Sequence, residues 1–167
     1  MAKKSVQFKV DTKQFVAKMK AKLGRSQPDE RDKRFMGAYV VNQIKKLSSK
    51  GISPIKGHPK RFPAYKGKYK EGIEKRHKRF KGKRLRPVNL RLSGDFMKSL
   101  KYRATKKGVL VGFFKPSEAA KEQGHRERAN GQGFRPVIPQ RGETFIPTII
   151  NKLVDIMRKG VERRLKR

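Results

Sequence analysis

Forty-seven lysines and arginines stand against 13 acids, a formal net charge of +34 on 167 residues, and this excess limits the chain more than any other feature. Self-repulsion on that scale opposes a compact monomer and is relieved by a polyanion or an acidic neighbour. Leu, Ile, Val and Phe together number 39, just above the level at which a highly charged chain stays disordered. A modest core is therefore expected, with some of the chain extended or ordered only by partners. The absence of cysteine excludes disulfide scaffolds, Cys-ligated zinc and thiol catalysis. The apolar runs are far shorter than the roughly 20 residues of a membrane-crossing helix. Met1-Ala2-Lys3-Lys4 also lacks the apolar stretch of a secretory signal. A soluble protein made inside the cell, with no membrane partner, is the expectation.

Periodicity predicts an α+β core. Val6, Phe8 and Val10 alternate as in a half-buried strand. Phe15, Val16, Met19 and Leu23 then recur at helical spacing until Gly24. A second helix is expected from near Ser26 to before Gly51, with Pro28, Asp29, Glu30 and Asp32 in its first turn. Its buried stripe is Phe35, Met36, Tyr39, Val40, Ile44 and Leu47. Ser93 suits the cap of a short helix carrying Phe96, Met97 and Leu100. Residues 101–105 and 109–114 read as a hairpin, 117–123 as a helix stopped by Gly124, and 134–139 as an edge strand. From Ile146 onward, Ile149, Ile150, Leu153, Val154, Met157, Val161 and Leu165 form one apolar face opposite lysines and arginines. A small antiparallel sheet packed against N-terminal and C-terminal helices accounts for this order.

Residues 50–86 differ in character. They carry 15 basic residues and two acids, and no continuous apolar face. The segment reads as a long basic extended insertion between 1–49 and 87–167, which together form one domain. Its contact candidates are Lys56, Lys60, Arg61, Lys66, Lys68, Lys70, Arg76, Lys78, Arg79, Lys81, Lys83, Arg84 and Arg86. Side chains of this kind bind backbone phosphates by charge without reading sequence. An acidic protein face would serve them equally well. Phe62, Tyr65, Tyr69 and Phe80 either stack on unpaired bases or anchor the segment to protein.

Catalytic chemistry is not expected. His58, His77 and His125 are far apart in polar, basic stretches. Glu74-x-x-His77 lacks a third metal ligand and sits among Lys75, Arg76, Lys78 and Arg79. Glu118, Glu122 and Glu127 each have a nearby cation, and no cleft or raised pKa is legible among them. No phosphate-cradling glycine loop is present, and no cofactor is implied.

The order of elements after Pro87 resembles that of the tail-completion, or head–tail connector, proteins of tailed bacteriophages. In that family a Leu-Ser/Thr-Gly-x-Leu/Phe-x-x-Ser-Leu/Ile stretch precedes the hairpin. A short helix ends in Glu/Gln-x-Gly, and an Arg-Pro-Phe turn leads into the last helix. Here Leu92, Ser93, Gly94, Phe96, Ser99 and Leu100 match the first element. Gly112 closes the hairpin and Gly124 ends the second element, while Arg135 and Pro136 match the third. Val137 stands where the family favours an aromatic. The resemblance spans about half the chain.

It implies a structural virion protein that forms a ring, expected to be a hexamer, at the head–tail junction. Such a ring would join portal or adaptor proteins to the tail and contact double-stranded DNA. It would be located in the virion neck, and in the host cytoplasm during assembly. Composition alone favours a different class, a ribosomal or other RNA-binding protein, and a DNA-condensing protein carried inside the capsid is a second alternative.

Overall fold

The computed structural model describes residues 28–58, 60–80, 82–90, 95–106, 108–127 and 135–165. The strand expected at 6–10, the helix expected at 15–23, the Leu92-Ser93-Gly94 motif and Lys81 lie outside the described residues.

Helix α1 spans Glu30–Ser49. It begins where local chemistry dictates: the Asp29 carboxylate accepts from the Asp32 amide at 2.7 Å, and Asp32 reaches back to the Asp29 amide. This reciprocal pair satisfies two amides that helix geometry leaves open. Met36, Val40, Val41 and Ile44 form the buried face. Phe35, expected in that stripe, is instead 53% exposed, with the Arg31 guanidinium above its ring. It precedes Met36 by one residue, and the 100° step turns it out of the core. Gly51, at φ 71°, ends the helix, and a Cβ there would press on the Val88 carbonyl.

Strands β1 (Leu100–Thr105) and β2 (Gly108–Phe113) form the expected hairpin. Leu100 faces Phe113, Tyr102 faces Val111 and Ala104 faces Val109. The Tyr102 ring lies over Gly37 of α1, where any Cβ would collide with it. A helix without a side chain at that position lets the sheet come close. Short helix α3 (Asp95–Ser99) leads directly into β1.

Helix α4 spans Pro116–Arg126 and α5 spans Pro147–Leu165. Gly124 does not stop α4. Helical glycine costs about 1 kcal/mol, and His125, packed against Phe96, and Arg126, bonded to Glu143, hold the extra turn. α5 presents Ile149, Leu153, Met157 and Val161 to the core at steps of four. The sheet packs against α1, which also packs against α5, an α+β arrangement.

Residues 135–138 are buried but form no strand. The amides of Val137 and Ile138 donate to Glu122 Oε1 at 3.0 and 3.2 Å. A side-chain carboxylate takes the place of a neighbouring strand, and Pro136 has no amide to give.

The basic segment also departs from a wholly extended form. It contains helix α2 (Gly67–Glu74) and a 3₁₀ turn at Lys78–Phe80. Isolated bridges pair Ile52 with Arg61 and Ile55 with Phe145. Phe62 and Tyr65 are buried in the common core, and Ile55 and Phe80 are buried as well. Phe80 covers Gly72 of α2 so closely that a Cβ would overlap its ring. These apolar residues are brought inward by chain reversals, so no helical or strand period announces them.

Candidate polyanion-binding surface

The cations of residues 56–86 divide into an exposed set and one residue held inward. Lys56, Lys60, Arg61, Lys66, Lys68, Lys70, Arg76, Lys78, Arg84 and Arg86 are exposed. Lys83 is half-buried, and the side chain of Arg79 and all of Lys81 lie outside the described residues. Lys70 pairs with Glu74 at 3.7 Å within α2.

Elsewhere the acids are engaged by neighbouring cations. Asp29 and Asp32 hold Arg163 and Arg164, Glu118 holds Lys121, Glu143 holds Arg126, and Asp155 holds Lys152. Internal neutralisation is therefore concentrated in the helices, and the exposed charge of 56–86 faces water.

The aromatics of this segment are anchors. Tyr65 is 3% exposed, and its hydroxyl donates to the Asn89 carbonyl. Tyr65 stacks on Tyr69 with centroids 5.9 Å apart, and Tyr69 meets Phe80 at 4.9 Å. Asn89 in turn binds the Arg84 amide at 3.0 Å and the Gly82 carbonyl at 3.1 Å, pinning the turn that carries Lys83. Rings consumed in this way are not available to stack on bases.

Arg135 explains how the stack is fixed. It is 1% exposed, with its guanidinium 4.5 Å from the Tyr65 ring centroid. Its Nε and Nη2 donate to the Pro63 carbonyl at 3.0 and 2.9 Å, and Nη2 also to the Ala64 carbonyl at 2.9 Å. Buried carbonyls are thereby satisfied by a cation, and burial holds that guanidinium below its ordinary pKa. On the same tyrosine, Lys83 Nζ donates to the hydroxyl at 3.1 Å and stands 5.0 Å from the ring centroid. Burial, then the neighbouring Arg135 charge, pulls the Lys83 ammonium down to about 8, and burial pushes the Tyr65 phenol up to about 12.

Beside this lies the arrangement that sequence reasoning missed. Glu122 is 2% exposed; Oε1 accepts the two amides of 137 and 138, and Oε2 is buried without a hydrogen-bond partner. Burial pushes its carboxyl up to about 8 against those stabilising amides. Arg126 lies 3.9 Å from Oε1 but gives its hydrogen bonds to Glu143 and the Ile138 carbonyl. Glu143 also meets His58 Nε2 at 2.9 Å, which ties the start of the basic segment to the approach of α5. His125, packed on Phe96, is lowered to about 4 by burial and then by the charge of Lys83.

The remaining motif residues are structural in position. Phe96 stacks on Phe113 with centroids 4.4 Å apart, and Ser99 Oγ donates to the Phe96 carbonyl at 2.8 Å. Leu100 is buried, Gly112 lies in β2, Gly124 lies within α4, and Pro136 is buried beside Arg135. Among the described residues no group of three or more acidic or histidine side chains could hold a metal ion. No described helix is long and apolar enough to cross a membrane. The chain matches no protein-family model, no curated protein and no solved structure.

Proposed function

We propose that this chain is a structural virion protein of a tailed bacteriophage, a tail-completion component that forms a ring at the head–tail junction. The ring joins the connector to the tail and touches the backbone of the genome. One observation carries the polyanion part of this reading. Exposed lysines and arginines are set along 56–86 on a segment rooted in the core by Phe62, Tyr65 and Phe80. Cations displayed on a folded support bind phosphates with little ordering cost. Because the rings face inward, backbone contact with a duplex fits better than stacking on single strands.

The neck assignment draws on the ordered motifs after Pro87. Phe96, Ser99 and Leu100 build the entry to the hairpin, and Arg135 and Pro136 form the buried approach to α5. Identical subunits of charge +34 repel one another when bare. The ring is accordingly stable where DNA and acidic partners neutralise it.

The deciding experiment is imaging of an intact particle, with mass measurement of the purified chain at low and high salt. A few to a dozen copies in one ring at the neck, copurifying with portal and tail proteins, is the expected result. Copurification with ribosomal RNA would favour the RNA-binding reading, and hundreds of copies inside the capsid the condensing one. A tight hexamer at low salt without any polyanion overturns the neutralisation argument.

A further inference from the structure

Two cations share one tyrosine in the core of this molecule. Arg135 lies over the Tyr65 ring, and Lys83 bonds to the hydroxyl while also approaching the ring. The groups that face Lys83 are Tyr65, Tyr69 of α2, Arg135 ahead of α5 and His125 of α4. None is an acid. No carboxylate stands among the groups that perturb either Lys83 or Arg135. Buried or half-buried cations are normally paired, and Arg135 is satisfied by the Pro63 and Ala64 carbonyls, which are neutral acceptors. Among the described residues, the cluster therefore carries positive charge with no counter-charge of its own.

Lys83 differs from the lysines around it in a second respect. Contacts with two rings and one hydroxyl hold its head, and Asn89 pins the turn that carries it. An exposed lysine must be ordered when it meets a phosphate, whereas this one is already placed. It is half-buried and sits next to exposed Arg84 in the sequence.

We propose that the Lys83 ammonium, seated on Tyr65 with Arg135 on the same ring, is the anchoring site for one phosphate group of a bound polyanion. This rests on the polyanion-binding reading and names the point where that contact is strongest. A phosphate supplies the counter-charge that the cluster lacks, and its charge-assisted hydrogen bond forms in a partly desolvated place, where it is stronger than at an exposed lysine. The same desolvation makes the site proton-linked. The free ammonium titrates near pH 8, and a bound phosphate favours its charged form, so affinity falls as pH rises through that value.

The test uses the full chain with a short duplex DNA and inorganic polyphosphate as probes, and polyglutamate as a carboxylate control. Affinities are measured against salt at about pH 7 and about pH 9. Lys83→Met is expected to weaken phosphate-probe binding by about tenfold at the lower pH, against about twofold for the exposed-site variant Lys56→Met. The unaltered chain should lose affinity between the two pH values. Lys83→Arg, which stays charged throughout, should bind well and lose that pH step; it also serves if Lys83→Met fails to fold.

Equal weakening by Lys83→Met and Lys56→Met, or a pH step in Lys83→Arg as large as that of the unaltered chain, overturns the site while leaving the proposed function standing. Polyglutamate bound with the same Lys83 dependence overturns its assignment to phosphate. Failure of the unaltered chain to bind either phosphate probe overturns both the site and the polyanion reading beneath it.

Discussion

Asp32 of α1 lies directly against Gly160 of α5, so close that any Cβ on residue 160 would overlap its carboxylate. That carboxylate is 2% exposed and is held by Arg163 at 3.0 Å and by Arg164. The start of one helix is thus clasped to the end of the other, and the clasp exists only because residue 160 has no side chain.

Gly160→Ala should destabilise the protein by about 1–2 kcal/mol. Alanine would raise helix propensity by about 1 kcal/mol. The Asp32 carboxylate cannot swing aside without losing its arginine partners, however, and overpacking of this kind costs about 1–3 kcal/mol or more. Asp32→Ala, which leaves Arg163 and Arg164 with Asp29 as their shared carboxylate and removes the acceptor of the Asp29 amide, should cost about 1–3 kcal/mol. Denaturant titration at fixed pH checks both, and a Gly160→Ala protein more stable than the parent contradicts the clasp.

Glu122 makes stability fall with rising pH. Its folded pKa, about 8, lies above its ordinary value of 4.5. Between those values the unfolded chain has released a proton that the folded chain keeps. The contribution is complete below about pH 4.5 and is lost as pH climbs to about 8. Glu122→Gln keeps an acceptor for the amides of Val137 and Ile138, so its melting temperature should decline less than the parent's across that window.

His125 acts in the opposite sense. Lowered from 6.5 to about 4, it is neutral in the folded protein where the unfolded chain is protonated. Stability therefore rises with pH between about 4 and 6.5. His125→Phe, which preserves an aromatic group beside Phe96, should flatten that rise. A melting series from about pH 4 to 7 would show an unchanged slope if the ring were solvated.

Arg135→Met should be more damaging than any substitution among the exposed cations. It leaves the Pro63 and Ala64 carbonyls without their donor, at about 1–3 kcal/mol for each buried group left unsatisfied. Tyr65→Phe removes only the bond to Asn89 and the acceptor of Lys83, about 1 kcal/mol. Chemical denaturation should rank them in that order.

Paired exposed-site changes, Lys60→Ala with Arg61→Ala, should move stability by less than about 0.5 kcal/mol. They should nevertheless reduce the slope of log affinity for duplex DNA against log salt by about 0.9 for each phosphate that the protein no longer neutralises. An unchanged slope would remove these two residues from the interface.

Much of the frame is legible in local pattern. Met36, Val40 and Ile44 mark the face of α1, Ile149, Leu153 and Met157 mark that of α5, and the turn signal at 106–108 before the apolar run of 109–114 marks the hairpin. Periodicity is set by the geometry of the element itself, so it survives in the chain without reference to neighbours. The excess of cations on 56–86 is legible for the same reason, and ten of its thirteen contact candidates are exposed.

The burial of Arg135, Glu122 and Lys83 was decided elsewhere. In composition each is one more charged residue, and Arg135 meets its acceptor 72 positions away. Whether a charge is solvated depends on which distant backbone groups arrive beside it, and that is a property of the packed chain. The amino-acid order determined the helices, the hairpin and the charge. The tertiary fold alone decided which few of those charges would be taken out of water, because desolvation is set by neighbours in space.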